Sequence, residues 1–297
     1  MAAEAAPPIA TSWRQVVARV ASHRDAGSGH RWLELGVPRG FPEPVPGQFV
    51  QILLRPPLSS VLLPRPMSVA GARRGRPGLT LEFLYAAVGT GTRALAALGP
   101  RAEVEVLGPL GRGFPLAEPG TPVLIAGGRG VAPLLFAADL LARAGRRSEF
   151  LFGARSRSHL VGLAVARSRL RRSGGRLHLC TDDGSAGMSG HAVALLERLA
   201  PRFAGPLALH ACGPHPMLAA VAGWGLAHRV RAWLAMESVM ACGTGVCRGC
   251  PLPRSQAARR RFRGAGLPSL YGNADWAMCC TDGPVFEASA LDWERVE

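Results

Sequence analysis

Three cysteines sit within nine residues of this 297-residue chain, in the stretch Cys242-Gly-Thr-Gly-Val-Cys247-Arg-Gly-Cys250. Their C-x4-C-x2-C spacing is the plant-type arrangement for holding a 2Fe–2S cluster, which takes its fourth thiolate from further along the chain. Four sulfurs must converge on two irons, and one short loop supplies three only if its backbone curls tightly. Gly243, Gly245 and Gly249 suit that curl, because glycine reaches positive φ without steric cost. Their amides can also donate to the sulfurs. The alternatives are a structural zinc site or a group of buried thiols. Zinc favours paired C-x2-C knuckles, and only one such pair exists here. Spacing alone leaves the fourth ligand open, because Cys279 and Cys280 are adjacent.

Four further stretches carry residue types that bind phosphates or flavins. Arg65-Pro-Met-Ser68 offers a planar cationic fork for a pyrophosphate and a hydroxyl for a ring edge. Gly89-Thr-Gly91-Thr92 frees backbone amides at a helix start, which is a ready anion site. Alone, the first reads as a turn and the second as an ordinary helix start; together they point to FAD. Gly127-Gly128-Arg-Gly130-Val-Ala-Pro133 follows an apolar run and precedes a helical one, the unit that sets phosphate at a helix N-terminus. It is not a P-loop, because no Gly-Lys-Ser/Thr follows, and Pro133 stands where a third glycine would be. Cys212-Gly213-Pro-His-Pro-Met217 closes another apolar run. Cys212 itself reads more readily as a small buried hydrophobe than as a reactive thiol. Asp182 and Asp183, in Thr181-Asp-Asp-Gly-Ser185, serve equally well as turn and cap residues.

The elements that must position these residues fall into three segments. Over 12–116 the chain reads as short β-runs broken by Gly and Pro, among them Gln15–Val20, Arg31–Leu35, Phe49–Leu53, Leu79–Tyr85 and Ala102–Leu107. Such a pattern predicts a small antiparallel barrel that would bind FAD. Over 117–228, apolar strands at Pro122–Ala126, Ser148–Phe152, Arg176–Cys180 and Leu207–Ala211 alternate with helical stretches. That alternation predicts a doubly wound parallel sheet, with its ligand at the carboxyl ends of the strands. Over 229–297, a strand at Val230–Met236 leads into the cysteine loop. The run Pro251–Gly266, with Arg259-Arg-Arg261 and Arg263, reads as a solvated basic loop. The fold class is therefore multidomain, β plus α/β: a β-barrel, a nucleotide-binding domain and a small C-terminal cluster domain.

Composition narrows the function classes. A formal net charge of +15 raises nucleic acid as a partner, yet all 35 basic residues are arginine and no recognition motif accompanies them. The arginine bias reads as genomic, so no nucleic-acid partner is expected, although a basic face for an acidic protein remains open. No run of about 20 apolar residues predicts a membrane span. Met1–Thr11 reads as a frayed tail and not as a secretory signal. Seven cysteines, three of them clustered, fit metal binding in a reducing, cytoplasmic setting better than a disulfide framework.

Taken in order, these motifs resemble a known family. Arg65-Pro-Met-Ser68, Gly89-Thr-Gly-Thr92, Gly108-Pro-Leu-Gly-Arg-Gly-Phe114, Gly128-Arg-Gly-Val-Ala-Pro133, Thr181–Ser185, Cys212–Met217, Met240-Ala-Cys-Gly-Thr-Gly-Val-Cys-Arg-Gly-Cys250 and Cys280-Thr-Asp-Gly-Pro-Val-Phe286 occur in the same sequence. The chain is similar, over nearly its whole length, to the electron transfer subunits of dihydroorotate dehydrogenase B, within the ferredoxin–NADP reductase superfamily. Matching the final motif selects Cys280 as fourth ligand. There are departures. Arg129 stands where an aliphatic residue is usual, and Ala126 where a glycine is common. Ala86 follows Tyr85 where an arginine is common. Arg248 replaces an apolar residue, and the stretch from Pro251 to Cys279 is longer than typical.

The resemblance implies a division of labour. Dihydroorotate is oxidised at FMN in a separate catalytic subunit, within de novo UMP biosynthesis. The electron transfer subunit carries the electrons through a 2Fe–2S cluster to FAD and on to NAD⁺, usually in a heterotetramer of two and two. By the same resemblance Arg65, Pro66, Met67, Ser68, Leu84, Tyr85, Ala86, Gly91 and Thr92 would hold FAD. Gly128, Gly130, Asp182, Cys212 and Gly213 would hold the nicotinamide nucleotide. Cys242, Cys247, Cys250 and Cys280 would hold the cluster. No general acid or base is expected, because hydride transfer needs none. The rival enzyme reading is a related flavin and iron–sulfur NAD(P)H reductase subunit of a transhydrogenase or a sulfhydrogenase-type diaphorase. The non-enzyme reading is a metal-stabilised scaffold that has lost its flavin.

Overall fold

A computed structural model describes residues 12–54, 61–75, 78–265 and 271–296. The expectation for Met1–Thr11 lies outside them, as does the last residue of Pro251–Gly266. The first half supplies seven strands: β1 Arg14–Gly27, β2 His30–Val37, β3 Phe49–Leu53, β4 Arg65–Ser68, β5 Gly71–Arg74, β6 Leu79–Ala86 and β7 Glu103–Leu110, with the short helix α1 Thr90–Ala96 between the last two. They form one antiparallel sheet in the order β4-β3-β7-β1-β2-β6-β5. The two edge strands are consecutive in the chain. Val69 N donates to Gln48 O on one side, and Ala70 N donates to Glu82 O on the other. Two residues thus cross from one edge to the other, so the sheet curls into a half-barrel that these residues close in place of a ladder. Inward positions alternate along the strands, as period-two sequence requires. Leu33, Leu35, Val50, Ile52, Leu81, Phe83 and Val106 fill the interior.

The second half alternates strand and helix. Its elements are β8 Thr121–Gly127, α2 Val131–Arg143, β9 Glu149–Ala154, α3 Leu163–Ser173, β10 Arg176–Thr181, β11 Met188–Ser189, α4 Ala192–Leu199, β12 Leu207–Cys212, α5 His215–His228 and β13 Arg231–Ala235. The remainder adds β14 Pro251–Pro253, α6 Gln256–Ala265, β15 Trp276–Met278 and β16 Val285–Glu287. The large sheet runs β11-β10-β9-β8-β12-β13-β16, parallel except for β16. The chain winds outward from β8 to β11, then returns to lay β12 against the free side of β8. That reversal opens a crevice between the carboxyl ends of β8 and β12. Alternate residues of the strands face opposite layers. Leu124, Ala126, Phe150 and Phe152 pack with α2 and α3. Val123, Ile125, Leu151 and Leu209 pack with α4 and α5.

Two features depart from the sequence reading. Arg231–Ala235, grouped by sequence with 229–297, is the sixth strand of the parallel sheet, in register with Ala208–Cys212. A division after residue 228 thus falls inside one sheet. The basic run is not a loop: Gln256–Ala265 is helical. Ser255 Oγ accepts from Ala258 N at 3.1 Å, capping the helix start. Arg254 lies 5.0 Å from the Phe262 ring centroid, and Arg259 reaches Asp275 at 3.7 Å and Asp292 at 3.9 Å. Arginine is a good helix former, so capping and these contacts carry the segment into a helix.

The two halves are joined firmly. Phe136 of α2 enters the half-barrel core. Arg169 of α3 is buried; it donates to Ala70 O at 2.7 Å, pairs with Glu82 and meets Asp139 at 3.2 Å. Its charge also lies 5.5 Å from the Trp32 ring centroid. A buried cation with this many partners fixes orientation more than it adds stability. The crevice between the halves is therefore set by both.

Candidate functional site

Two cavities meet at that crevice. The larger, about 650 Å³, lies over the carboxyl ends of β8, β9 and β10 and the start of α5. Gly128, Arg129, Arg155, Asp182 and Pro214 are among its walls. The smaller, about 240 Å³, is bounded by Pro66, Met67 and Ser68 of β4, by Leu84, Tyr85 and Ala86 of β6, by Thr92, and by Cys212. Ala86, Val88 and Arg129 border both, so the two spaces lie end to end. The far wall of the smaller cavity is Met236, Glu237, Ser238 and Met240, the segment that runs into the cysteine loop.

The glycine turn explains how β8 and β12 come so close. A Cβ on Gly130 would lie 2.0 Å from the carbonyl oxygen of Cys212, so only glycine lets the two turns touch. Gly213 sits against Gly127 in the same contact. Gly130 and Gly213 thus shape the crevice, while Gly128 faces the open space. Cys212 is buried, and burial pushes its thiol well up, which keeps it a neutral wall residue. Asp182 lines the larger cavity, whereas Asp183 does turn work: its Oδ1 accepts from Ser185 N at 2.9 Å and Ser185 Oγ at 2.6 Å.

Around the smaller cavity, Arg65 and Gly91 come together as the two motifs require. The Arg65 side chain packs against Gly91, where a Cβ would lie 3.2 Å from Nε. Arg65 Nη2 donates to Leu63 O at 2.8 Å, while its buried Nε has no partner among the described residues. An unpaired buried guanidinium N–H beside a helix start fits an anionic group such as a flavin pyrophosphate. The Tyr85 hydroxyl points elsewhere, into a 2.9 Å hydrogen bond with His23 Nε2. Burial pushes its phenol up.

The cysteines come together in pairs. Cys250 Sγ and Cys280 Sγ are 3.3 Å apart, and Cys280 N donates to Cys250 Sγ at 3.4 Å. The hydrogen bond from Cys280 lowers the Cys250 thiol to about 7 against the effect of burial, and raises that of Cys280. Burial pushes Cys242 up, yet the amides of Cys247 and Thr244 and the Cys247 thiol outweigh it and hold Cys242 at about 6. Thiolates are the metal-ligating form. Cys279 makes a different contact: its buried Sγ donates to Met236 O at 3.8 Å. Among the described residues, no group of three or more His, Cys, Asp or Glu side chains is arranged around one ion. Two thiol pairs, on one curled loop and the turn after β15, fit a two-iron cluster, which asks for two cysteines per iron.

Local geometry shows why the loop curls. Gly243 and Gly245 have φ of +75° and +89°. Their missing Cβ atoms leave room for Gln51 and Tyr271, which would otherwise be 2.7 and 2.3 Å away. The turn that brings Cys280 back is stapled by Asp282. Its Oδ2 accepts from Met278 N at 2.8 Å and pairs with Arg254 at 3.2 Å. Val285 and Phe286 then pair with Ala235 and Leu234 of β13. Each residue of Cys280-Thr-Asp-Gly-Pro-Val-Phe286 thus lies where the chain must turn back onto the sheet.

Sequence reasoning missed His30, Val88, His159, His191 and Glu237 as cavity residues. They lie on loops and strand ends far apart in the chain, and no motif marks them. Arg129 stood out only as a departure. It lies between the cavities and meets Glu237 at 3.8 Å.

No family model matches the chain. Among curated proteins, it is 31% identical over 249 residues to the dihydroorotate dehydrogenase B (NAD(+)) electron transfer subunit of Listeria monocytogenes serotype 4b (strain F2365), covering 83% of this chain and 87% of that protein. It is 34% identical over 251 residues to the subunit of the same name from Bacillus caldolyticus, covering 83% and 86%. Its fold is similar to a solved NADH-dependent reduced ferredoxin-NADP oxidoreductase, described for flavin-based electron bifurcation. The TM-score there is 0.74 at 23% identity, covering 94% of this chain and 91% of that one. At these identities and coverages, the chain belongs to the family of dihydroorotate dehydrogenase B electron transfer subunits and is an oxidoreductase subunit.

Proposed function

We propose that this chain passes electrons between NAD(H) and an FMN-bearing dihydroorotate dehydrogenase catalytic subunit, in pyrimidine synthesis; its relatives are named as electron transfer subunits of that dehydrogenase. The observation that carries this reading is a line of spaces: the larger cavity opens end to end into the smaller, whose far wall is the lead into the cysteine loop. Bound FAD would exchange a hydride with the nicotinamide and single electrons with a 2Fe–2S cluster. Arg65 would neutralise the flavin pyrophosphate, with Gly91 and Thr92 beside it. Pro66, Met67, Ser68 and Leu84–Ala86 would wall the ring. Gly128 and Asp182 would hold the dinucleotide, with Cys212 as a neutral floor and Gly130 and Gly213 keeping the turns in contact. Cys242, Cys247, Cys250 and Cys280 would hold the two irons. No side chain moves a proton in this scheme.

Cys247 is exposed, as a ligand facing a partner subunit needs to be. The reading includes a heterotetramer with that partner. No helix among the described residues is long and apolar enough to cross a membrane. The reading includes the reducing cytoplasm, which the clustering of three cysteines in nine residues supports.

Anaerobic purification tests the proposal, with visible spectrum, flavin and iron measured before and after NADH. FAD and about two irons per chain, both bleached by NADH, are expected. Flavin without iron would remove the cluster assignment, and zinc without flavin would overturn the whole reading.

A further inference from the structure

Gln51 is a fully buried polar residue on β3, a strand of the flavin half-barrel. Its neighbours Val50 and Ile52 point into the half-barrel core. Phe49 and Gln51 point the other way, because residues two apart share a strand face. Phe49 lines the flavin cavity beside Met67 and Met240. Gln51 faces the start of the cysteine loop: its Nε2 donates to Met240 O at 3.4 Å. Gly243 comes so near that an added Cβ would lie 2.7 Å from Nε2 and 2.8 Å from Cγ. Its Oε1 is buried with no partner among the described residues. An outward, buried position on a strand is ordinarily filled by an apolar side chain. A carboxamide here, half satisfied, is explained by what it touches.

We propose that Gln51 is a positioning residue that holds Met240–Gly243, and with them the Cys242 sulfur, against the flavin-bearing sheet. It would thereby set the coupling between flavin and cluster. On the opposite register, β3 pairs Gln51 with Pro66 of the Arg65–Ser68 motif. One side chain therefore joins the strand beside the flavin motif to the residue next to the first cysteine. Polar groups beside ligating thiolates tune a cluster's potential, so the carboxamide would also affect that potential. The inference rests on the flavin and iron–sulfur reading above.

The test uses the full chain, purified anaerobically, with Gln51→Leu and Gln51→Glu. Glutamate keeps the shape and removes the N–H donor. Both variants are expected to keep FAD and NADH–dye reduction. Both should show altered EPR g-values and a shifted cluster midpoint potential, and internal flavin-to-cluster electron transfer should slow about tenfold or more. A side chain that only filled space would leave the uncharged leucine variant, similar in volume, with wild-type EPR, potential and rate. That result, or wild-type values in whichever variant folds, would overturn the inference. Wild-type protein without iron would overturn it together with the functional reading. Iron-loaded wild type with unaffected variants would overturn this inference alone.

Discussion

The larger cavity and the cysteine loop are built by opposite means. The cavity is made of strand ends: β8, β9, β10 and β12 stop in one row, and their turns form its floor. Regular periodicity does the positioning, and single side chains contribute little. The loop has no regular structure between β13 and β14 and is held by individual contacts. These are Gln51 to Met240, Tyr271 against Gly245, and Asp282 on Met278 and Arg254. A site made by a repeating pattern tolerates change at most positions and fails at its few close approaches. A site made by separate contacts degrades a little with each one lost.

The sharpest way to divide the two regions is Cys247→Ser. We expect iron content to fall to background and electron flow to the partner to stop, while FAD content and NADH–dye reduction stay unchanged. Loss of both activities in a folded, flavin-loaded variant would break the separation. From the other side, Gly130→Ala should cost about 3 kcal/mol, because its Cβ collides with the Cys212 carbonyl. Thermal melting reads the cost, and NADH should no longer reduce the flavin although iron is retained.

Acid should weaken the sheet region specifically. His210 lies buried in β12 with its ring edge-on to Phe114, centroids 5.6 Å apart. Burial lowers it from 6.5 to about 4, and the carbonyls of Pro115 and Ala208 offset only part of that. Between those values the unfolded chain binds the proton and the folded chain does not. Stability contributed by the neutral ring is thus complete above pH 6.5 and is lost as pH falls towards 4. Urea unfolding should show about 2 kcal/mol less stability from this group at pH 5 than at pH 7, and His210→Phe should remove that slope. Smaller still, Asp282→Ala should cost about 1.5 kcal/mol and reduce iron occupancy without touching FAD, as measured by metal analysis alongside the flavin spectrum. Arg129→Leu removes an exposed cation between the cavities, and the KM for NADH should rise by up to about fivefold in steady-state kinetics.

The same contrast decided what the sequence made legible. Strands and their ends were readable from apolar runs punctuated by glycine. Phe49–Leu53 matches its strand bounds, and Pro122–Ala126 falls inside Thr121–Gly127. That Cys242, Cys247 and Cys250 share one curled loop was readable from their spacing and the glycines between them. Which sheet would take Val230–Met236 was not readable, since an apolar strand carries no label for its neighbour. Nor was helix α6, whose shape depends on Asp275 and Asp292 from later in the chain. His30 and Glu237 reach the cavities from opposite halves, and only the curled sheet brings them to one place. Gln51 looked like one more strand residue, because nothing local records that a loop almost 200 positions later leans on it.

The pairing of β16 with β13 bears on how this chain could be rebuilt. The cysteine region is not a bead on a string that can be traded for another electron carrier. Its last strand, β16, is the outer rim of the large sheet, and β13 is the next plank in. A graft that discarded everything after residue 228 would strip both and leave β12 with a bare hydrogen-bonding edge, an invitation to self-association. Chimeras in this family should therefore join within the turn after β13 and carry β16 along, so that the rim is replaced in the same operation.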